Sequence, residues 1–170
     1  MANTNELKKV VEPGLLRAFW LSRAAQAVPL SGGLRRLVHE MEPDGIGIHP
    51  ASGTLFMCEA TASGYMGGKR GDFHDGAATK LIETYARFSL LMHSKTREEL
   101  LATASKEHAC SLTQLRCHLI VPQGTRFIQA LGYRTRFLKV GVMELTQVEL
   151  SPPEQQVMEI VLREARGEMQ

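Results

Sequence analysis

Apolar residues recur at helical spacing in several segments of the chain. The first segment opens with Glu12, Pro13 and Gly14, carries an apolar stripe on one side and stops before Pro29. Proline is tolerated in the first turn of a helix and breaks a helix interior, so this pattern predicts one long helix that reaches Val28. Further helices are predicted from about Asp75 to Met92, from Thr96 to before Cys110, from Arg126 to Leu131, and from the capping box Ser151–Glu154 to about Arg166.

Shorter apolar runs, bounded by Gly and Pro, predict strands. The run 34–41 also fits a short helix, but we favour a strand because three antiparallel strands would then precede the next helix. The later strand, short helix and strand form a βαβ unit, which requires parallel pairing and a right-handed crossover. The whole order predicts an α/β fold with a mixed central sheet flanked by helices. The predicted strands are Leu34–Met41, Gly45–His49, Thr54–Thr61, Cys117–Pro122 and Phe137–Leu145.

The turn Pro50–Gly53 joins two of these strands and sets their register. Side chains alternate between the faces of a strand, so the length of a turn decides which side chains share a face. With four residues in the turn, His49 pairs with Thr54 and Asp44 lies directly opposite Glu59. A turn of odd length would place the two carboxylates on opposite faces. The sequence therefore predicts a converging pair of carboxylates at one end of the hairpin.

The carboxylates of Asp44 and Glu59 predict a site for a divalent cation. Glu59 follows the apolar run Leu55–Cys58, which is typical of a buried central strand, where an unpaired acid is costly. Mg²⁺ suits this pair because it accepts one or two protein carboxylates and completes its octahedron with water and substrate phosphate. Mn²⁺ is the expected substitute in experiments. The alternative is an ordinary hairpin whose carboxylates face water.

The segments Pro43-Asp44 and Glu59-Ala60-Thr61 together resemble the metal-binding motif of the PD-(D/E)xK nuclease superfamily. Members of that superfamily have the restriction-endonuclease-like fold, in which an Asp and a Glu hold the metal while a nearby Lys positions the attacking water. The resemblance implies the two metal-binding roles for Asp44 and Glu59. It also implies a single nuclease-like domain, and the predicted order of helices and strands agrees with the core of that fold.

The lysine position of the family is occupied here by Thr61, whose hydroxyl can hydrogen-bond water or phosphate but carries no positive charge. Some family members draw the lysine from the following helix. Lys80 is therefore the first candidate for the catalytic lysine, and Lys69, in a glycine-rich loop, is the second. Glu12, at the start of the first helix, is the candidate for a third metal ligand, although an acid there also interacts favourably with the helix dipole.

The composition indicates one globular domain that spans residues 1–170. Hydrophobic residues make up 44% of the chain and charged residues 22%, as in an ordinary domain with a sizeable core. No apolar run approaches the ~20 residues that cross a bilayer, and the amino terminus lacks the apolar core of a signal peptide. We therefore expect a cytoplasmic protein that does not bind membranes.

The net charge of +2 is too small to indicate nucleic-acid binding by itself, but the basic residues occur in groups. Such groups can neutralise backbone phosphates on both sides of a cleft, so a nucleic acid, DNA rather than RNA, is the predicted partner. Taken singly, each of these residues is more often a solvated surface charge. The predicted contact residues are Arg35, Arg36, Lys69, Arg70, Arg126, Arg134 and Arg136, with Lys139 close to the last of them in sequence.

The cysteines Cys58, Cys110 and Cys117 show no paired spacing and are expected to be reduced. A zinc site built from His108, Cys110, Cys117 and His118 is a weak alternative, because these residues have the types of zinc ligands without their usual spacing.

Three functions fit the sequence. The leading hypothesis is a Mg²⁺-dependent phosphodiesterase, and the second is an inactive protein of the same fold that binds nucleic acid or a protein partner. The third is an unrelated enzyme that uses His49, His74 or His118 as an acid or base, although no nucleophile signature accompanies them. Apolar residues around the last helix, from Val157 to Ala165, also predict a homodimer, with burial inside one chain as the alternative.

Overall fold

Five strands form one sheet in the computed structural model of the chain, and their order across the sheet follows their order in the sequence. The structure describes residues 5–38, 41–62, 75–124 and 126–168. The first two pairings are antiparallel and the last two are parallel, so the sheet is mixed and the predicted α/β class is confirmed. The strands are β1 (Gln26–Val28), β2 (Gly45–His49), β3 (Thr54–Ala60), β4 (Gln114–Pro122) and β5 (Glu144–Val148).

Helices lie against both faces of this sheet. A π-helical segment, Leu7–Val11, runs directly into the first α-helix. Two 3₁₀ segments, Pro50–Ser52 and Gly132–Val140, follow β2 and the fifth α-helix. The α-helices are α1 (Glu12–Ser22), α2 (Gly32–Leu37), α3 (Asp75–Leu91), α4 (Ser94–Glu107), α5 (Phe127–Leu131) and α6 (Pro152–Glu168).

The first helix ends at Ser22, so the prediction that it reaches Val28 is wrong. Ala24 adopts φ 49°, its amide donates to Leu21 O at 3.2 Å, and the Ala25 amide donates to Trp20 O at 2.9 Å. These two bonds form a Schellman motif, which ends a helix and satisfies its last carbonyls. Glycine normally takes the left-handed position of this motif, so an alanine there gives no signal in the sequence. The residues after it form strand β1.

The predicted strand at 34–41 is also wrong, because this part of the chain contains helix α2. Ser31 caps that helix, since its Oγ accepts a hydrogen bond from the Leu34 amide at 3.1 Å. Leu34 and Val38 lie one helical turn apart and both are fully buried, which gives the helix its apolar face. The three antiparallel strands are present, but the first of them is β1.

The last strand begins at Glu144, later than the predicted start at Phe137. Residues 132–140 form the 3₁₀ segment instead, and Gly141, with φ 81°, separates it from β5. The segment includes Arg134 and Arg136, which interrupt its apolar residues. Strand β5 pairs in parallel with β4, as the βαβ pattern predicts.

Each face of the sheet carries its own hydrophobic core. Ile46 and Ile48 of β2 contribute to the core under α2, α3 and α4, and Phe56 and Cys58 of β3 contribute to the core under α1 and α6. Trp20 packs so closely on the sheet that a Cβ at Gly47 would lie 2.7 Å from its ring. This alternation of β3 side chains determines which face each of its polar residues reaches.

Helix α6 turns most of its apolar residues inward. Met158 and Val161 are buried, and Val157 and Leu162 pack partly against the core that α1 also covers. Ile160 is 47% exposed. Among the described side chains of α6, it is the one large apolar residue left of the exposed strip from which a dimer was predicted. No helix within the described ranges is long and apolar enough to cross a membrane.

Candidate active site

The hairpin of β2 and β3 has the predicted register. His49 pairs with Thr54 across the four-residue turn, and Gly45 pairs with Cys58. One position further along, Asp44 therefore lies opposite Glu59. The Oδ2 atom of Asp44 accepts a hydrogen bond from the Ala60 amide at 2.8 Å, which fixes this side chain against the end of β3.

Glu59 is a buried carboxylate that contacts two cations of α3. Its exposed fraction is 1%, and Lys80 Nζ donates to Glu59 Oε2 at 2.5 Å while Arg87 Nη1 donates to Glu59 Oε1 at 3.2 Å. Lys80 Nζ also lies 3.7 Å from Asp44 Oδ2. Positions seven apart on a helix share a face, so both cations reach the sheet from the same side of α3. The carboxylate pair and the lysine that the sequence selected thus lie together.

Burial and charge act in opposite directions on these groups. Burial raises the pKa of Glu59, the nearby Asp44 charge raises it further, and the contacts with Lys80 and Arg87 oppose both effects. Burial alone would lower the pKa of Lys80, but its bond to Glu59 and the charges of Asp44 and Glu12 outweigh burial and raise the pKa. The lysine is therefore cationic at neutral pH, and it offsets the cost of burying the acid.

Glu12 belongs to the same electrostatic cluster. Burial raises the pKa of this carboxyl, the Asp44 charge raises it further, and Lys80 and Lys8 lower it, with Glu59 adding a smaller increase. Leu16, one turn after Glu12 in α1, packs against Gly45, so the start of α1 lies near the end of the hairpin that carries Asp44. In residues 5–38, 41–62, 75–124 and 126–168, however, no three His, Cys, Asp or Glu side chains are grouped closely enough to hold an ion.

The donor set of Asp44 and Glu59 fits a magnesium ion. Both are hard oxygen ligands on one face of the hairpin, and Mg²⁺ needs no more than one or two protein carboxylates when water and substrate complete its shell. After burial, the charge of Asp44 is the largest contribution that raises the pKa of Glu59, as expected for two carboxylates that face each other across the hairpin. Lys80 shares their oxygens, so it would compete with a cation for the same negative charge.

Thr61 was predicted to belong to the site, whereas Arg87 was not. Thr61 is buried, and its amide donates to Ile120 O at 3.0 Å, which extends the pairing of β3 with β4. Arg87 was not selected from the sequence, although its spacing of seven from Lys80 on a predicted helix indicates a shared face. Lys69, the second candidate for the catalytic lysine, lies outside the described residues.

The described residues that are proposed to contact nucleic acid belong to two segments of the chain, helix α2 and the region from the start of α5 through the 3₁₀ segment. Arg35 Nε pairs with Glu42 Oε1 at 3.0 Å, and the Arg134 guanidinium lies 4.8 Å from the centre of the Tyr133 ring. Arg36, Arg126, Arg136 and Lys139 are exposed, and Arg70 falls outside the described residues. The cations that contact Glu59 come from α3 instead.

Of the three histidines proposed as an acid or base, His118 is fully buried beside Phe19 and Phe56, and its Nδ1 lies 2.9 Å from Thr146 Oγ1. Burial lowers the pKa of His118 to about 4, so the imidazole is neutral and shielded from solvent at pH 7. His49 Nδ1 lies 2.7 Å from Ser52 Oγ in the turn after β2. His74 lies outside the described residues.

The cysteines are free thiols. Burial raises the pKa of Cys58 well above its usual range and that of Cys117 to about 12. Both are therefore protonated at neutral pH in this structure. The zinc site predicted from His108, Cys110, Cys117 and His118 is wrong, because no three of these described side chains are grouped closely enough to hold an ion.

Comparisons of this chain with models of protein families, with curated proteins and with solved structures found no match. The nuclease assignment is therefore still a resemblance, carried by the motif at Asp44 and Glu59.

Proposed function

We propose that this protein is a metal-dependent phosphodiesterase that hydrolyses DNA, with RNA as a less favoured substrate. The observation that carries the proposal is the position of Lys80, whose Nζ lies 2.5 Å from Glu59 Oε2 and 3.7 Å from Asp44 Oδ2. A buried acid, a second acid on the adjacent strand and a lysine from the next helix match the arrangement that the sequence resemblance implies when Thr61 replaces the usual lysine.

Each residue of the cluster has a role in this proposal. Asp44 and Glu59 would hold Mg²⁺, which lowers the pKa of a bound water and offsets charge on a phosphate. Lys80 provides a fixed positive charge beside the two carboxylates, where it would stabilise the charge that develops on a phosphate during displacement. Arg87 contacts the other oxygen of Glu59 and so holds that carboxylate in orientation. Glu12 approaches the cluster from α1 and would complete the outer part of the metal shell.

The partners and setting of the protein belong to the same proposal. A homodimer would place two sites on the two strands of a duplex. The nucleic acid would contact Lys69 and the arginines Arg35, Arg36, Arg70, Arg126, Arg134 and Arg136. The described part of α6 offers little apolar surface for such a dimer, so size-exclusion chromatography with light scattering is the direct measurement of assembly. We place the protein in the cytoplasm, where nucleic-acid substrates and Mg²⁺ are both present.

Calorimetry with Mn²⁺ and a cleavage assay test the proposal. The wild-type protein should bind Mn²⁺ and cleave some member of a panel of single-stranded and duplex DNA with Mg²⁺ but not with EDTA. Asp44→Asn should lose both properties, because it removes a hard anionic ligand at constant volume. Glu99→Gln, at an exposed position of α4, is the matched control and should retain both. Cleavage that persists in EDTA would contradict the proposal.

The second candidate function is that of a catalytically inactive protein with the same fold. Lys80 and Arg87 contact the two oxygens of Glu59, so the acid is paired without any metal, as a purely structural ion-pair network would be. In that case the protein would bind nucleic acid or a protein partner. Thermal unfolding separates the two functions, because a ligand that binds only the folded state raises its stability. An unchanged Tm at millimolar Mg²⁺ and Mn²⁺ would favour the inactive protein.

A further inference from the structure

A pocket of about 330 Å³ opens at the end of the sheet opposite the carboxylate cluster. It lies at the starts of the parallel strands β3 and β4, where Thr54 pairs with Gln114 and Phe56 pairs with Arg116. Its volume is at the lower end of the range for small-molecule sites. Strand β3 rises about 3.3 Å per residue, so the pocket is separated from Glu59 by about 16 Å along the strand. It also lies on the other face of the sheet.

Six of the seven side chains that line this pocket carry hydrogen-bonding groups, and the seventh is the ring of Phe56. Ser52 Oγ lies 2.7 Å from His49 Nδ1 and 2.8 Å from Thr54 Oγ1, and the Ser52 amide donates to the same Nδ1 at 3.1 Å. Because Nδ1 accepts from a backbone amide, the proton of the imidazole lies on Nε2 and is available as a donor. The turn thus holds the imidazole and the hydroxyls of Ser52 and Thr54 in place at one wall, and Gln114 adds a side-chain amide.

Two arginines supply positive charge to the same pocket. Arg23, the residue that follows α1, lies with its guanidinium 5.6 Å from the centre of the Phe19 ring. Arg116 enters from β4 and pairs only loosely with Glu144, since Nη1 and Oε1 are 3.7 Å apart and both side chains are about half exposed. Both arginines line the pocket. Burial is the main cause that lowers the pKa of His118, and the charges of Arg23 and Arg116 lower it further.

We propose that this pocket binds a phosphate group, either the phosphate of a nucleotide or that of a nucleic-acid backbone. Arg23 and Arg116 would form charge-assisted hydrogen bonds with the phosphate oxygens, which are stronger than neutral ones and suit the fork of a guanidinium. Thr54 and the imidazole Nε2 of His49 would donate to the remaining oxygens. The loose contact with Glu144 offsets only part of the charge of Arg116, so the pocket keeps an excess of positive charge. The proposal is independent of phosphodiesterase activity, because it uses none of the carboxylate cluster.

Calorimetric titrations with inorganic phosphate, AMP, adenosine and an oligodeoxythymidine without a terminal phosphate test this site. The wild-type protein should bind phosphate and AMP with Kd values of about 1 mM or tighter, and adenosine should not bind. Arg23→Gln and Arg116→Gln should each weaken binding several-fold, and the double variant at least about tenfold. Arg163→Gln, which removes an exposed arginine of α6 outside the pocket, is the matched control and should bind as the wild type does.

The same titrations identify the source of the phosphate. An oligonucleotide that binds more tightly than AMP, and loses that affinity in the double variant, would indicate a nucleic-acid backbone. Tighter binding of AMP would indicate a free nucleotide. Equal affinity in the wild type and the double variant, or no heat with millimolar phosphate and AMP, would overturn the site. Loss of cleavage in Asp44→Asn with unchanged phosphate binding would separate this pocket from the carboxylate cluster.

Discussion

Two buried titratable side chains on neighbouring strands of the sheet have contrasting surroundings. Glu59 on β3 and His118 on β4 are 1% and 0% exposed, and they lie one position apart in the register on opposite faces. Glu59 contacts Lys80 and Arg87, so its negative charge is compensated within the fold. His118 contacts aromatic rings and one hydroxyl, and its Nε2 has no hydrogen-bond partner among the described residues.

The two side chains differ in how the fold treats their charge: the charge of Glu59 is compensated by neighbouring cations, whereas His118 is kept neutral. Desolvation opposes the charged form of both side chains. At His118 desolvation dominates, so the imidazole is neutral and packs as part of the core. At Glu59 two cationic side chains from α3 oppose desolvation. Holding them in a fixed geometry costs side-chain entropy. A buried acid with this support is a candidate for function, and the following experiments test that distinction.

The largest expected effect is the loss of catalysis when a carboxylate becomes an amide. Glu59→Gln and Asp44→Asn should each abolish metal-dependent cleavage, because both remove an anionic ligand at constant volume. Their stabilities should differ. Glu59→Gln breaks two charge-assisted bonds and should lower the free energy of unfolding by on the order of 1–3 kcal/mol, whereas Asn at position 44 can still accept from the Ala60 amide. Urea unfolding and the DNA panel measure the two effects, and retained cleavage in either variant would contradict the site.

Lys80→Ala should have the next largest effect. If the ammonium stabilises charge in the transition state, its removal should lower turnover on the order of 10²-fold, as the loss of one oxyanion donor does. Lys69→Ala should mainly weaken substrate binding and its dependence on salt. Initial rates over a range of substrate and salt concentrations separate the two outcomes. Normal turnover in Lys80→Ala together with lost turnover in Lys69→Ala would reverse the assignment of the catalytic lysine.

The sequence was sufficient where a short-range rule determined the structure. The even turn of four residues determined the hairpin register, and the alternation of side chains then placed Asp44 opposite Glu59. The apolar run before Glu59 correctly indicated a buried strand. The helical period of α3 placed Lys80 on the flank of its packed face, from which it reaches the sheet. These inferences need only residues that are close in the chain.

The sequence was insufficient where alternative local structures were close in energy. The end of α1 depends on a left-handed alanine, Ala24, which no propensity indicates. The segment after Ser31 has an apolar pattern that fits a strand or a helix, and packing of Leu34 and Val38 against the core decides between them. The second cation on Glu59 required the relative position of α3 and the sheet. The pocket at Arg23 and Arg116 joins residues 93 positions apart and could not be seen from either segment.

Arg87→Gln should affect stability more than chemistry. It removes one of the two cations on Glu59, but Arg87 is 39% exposed and solvent screens part of its interaction. The expected loss in the free energy of unfolding is therefore only about 1 kcal/mol. Turnover should fall less than in Lys80→Ala, and Arg87→Lys should recover much of the stability. Arg136→Gln, at an exposed position, is the control in urea unfolding. A loss of turnover as large as that of Lys80→Ala would make Arg87 part of the catalytic machinery.

The smallest expected effect is a dependence of stability on pH that belongs to His118. Its pKa falls from an ordinary 6.5 to about 4 in the folded protein, so between these values the unfolded chain binds a proton that the folded chain does not. Stability from this group is therefore fully present above about pH 6.5 and is lost as the pH falls towards 4, at no more than about 1.4 kcal/mol per pH unit. Raised carboxyl pKa values at Glu59 and Glu12 give the opposite slope at low pH, so a matched variant must isolate the histidine.

His118→Gln provides that variant, because glutamine can keep a hydrogen bond with Thr146 but does not titrate. The difference in free energy of unfolding between wild type and His118→Gln should shrink as the pH is lowered from 7 to 4.5, because only the wild type loses the contribution of a neutral imidazole. Ile120→Val, on the same strand and face, should cost about 1 kcal/mol at every pH and thus serves as the control. Urea unfolding at closely spaced pH values measures all three proteins. Parallel curves for wild type and His118→Gln would show that His118 is not held neutral, and the contrast with Glu59 would then fail.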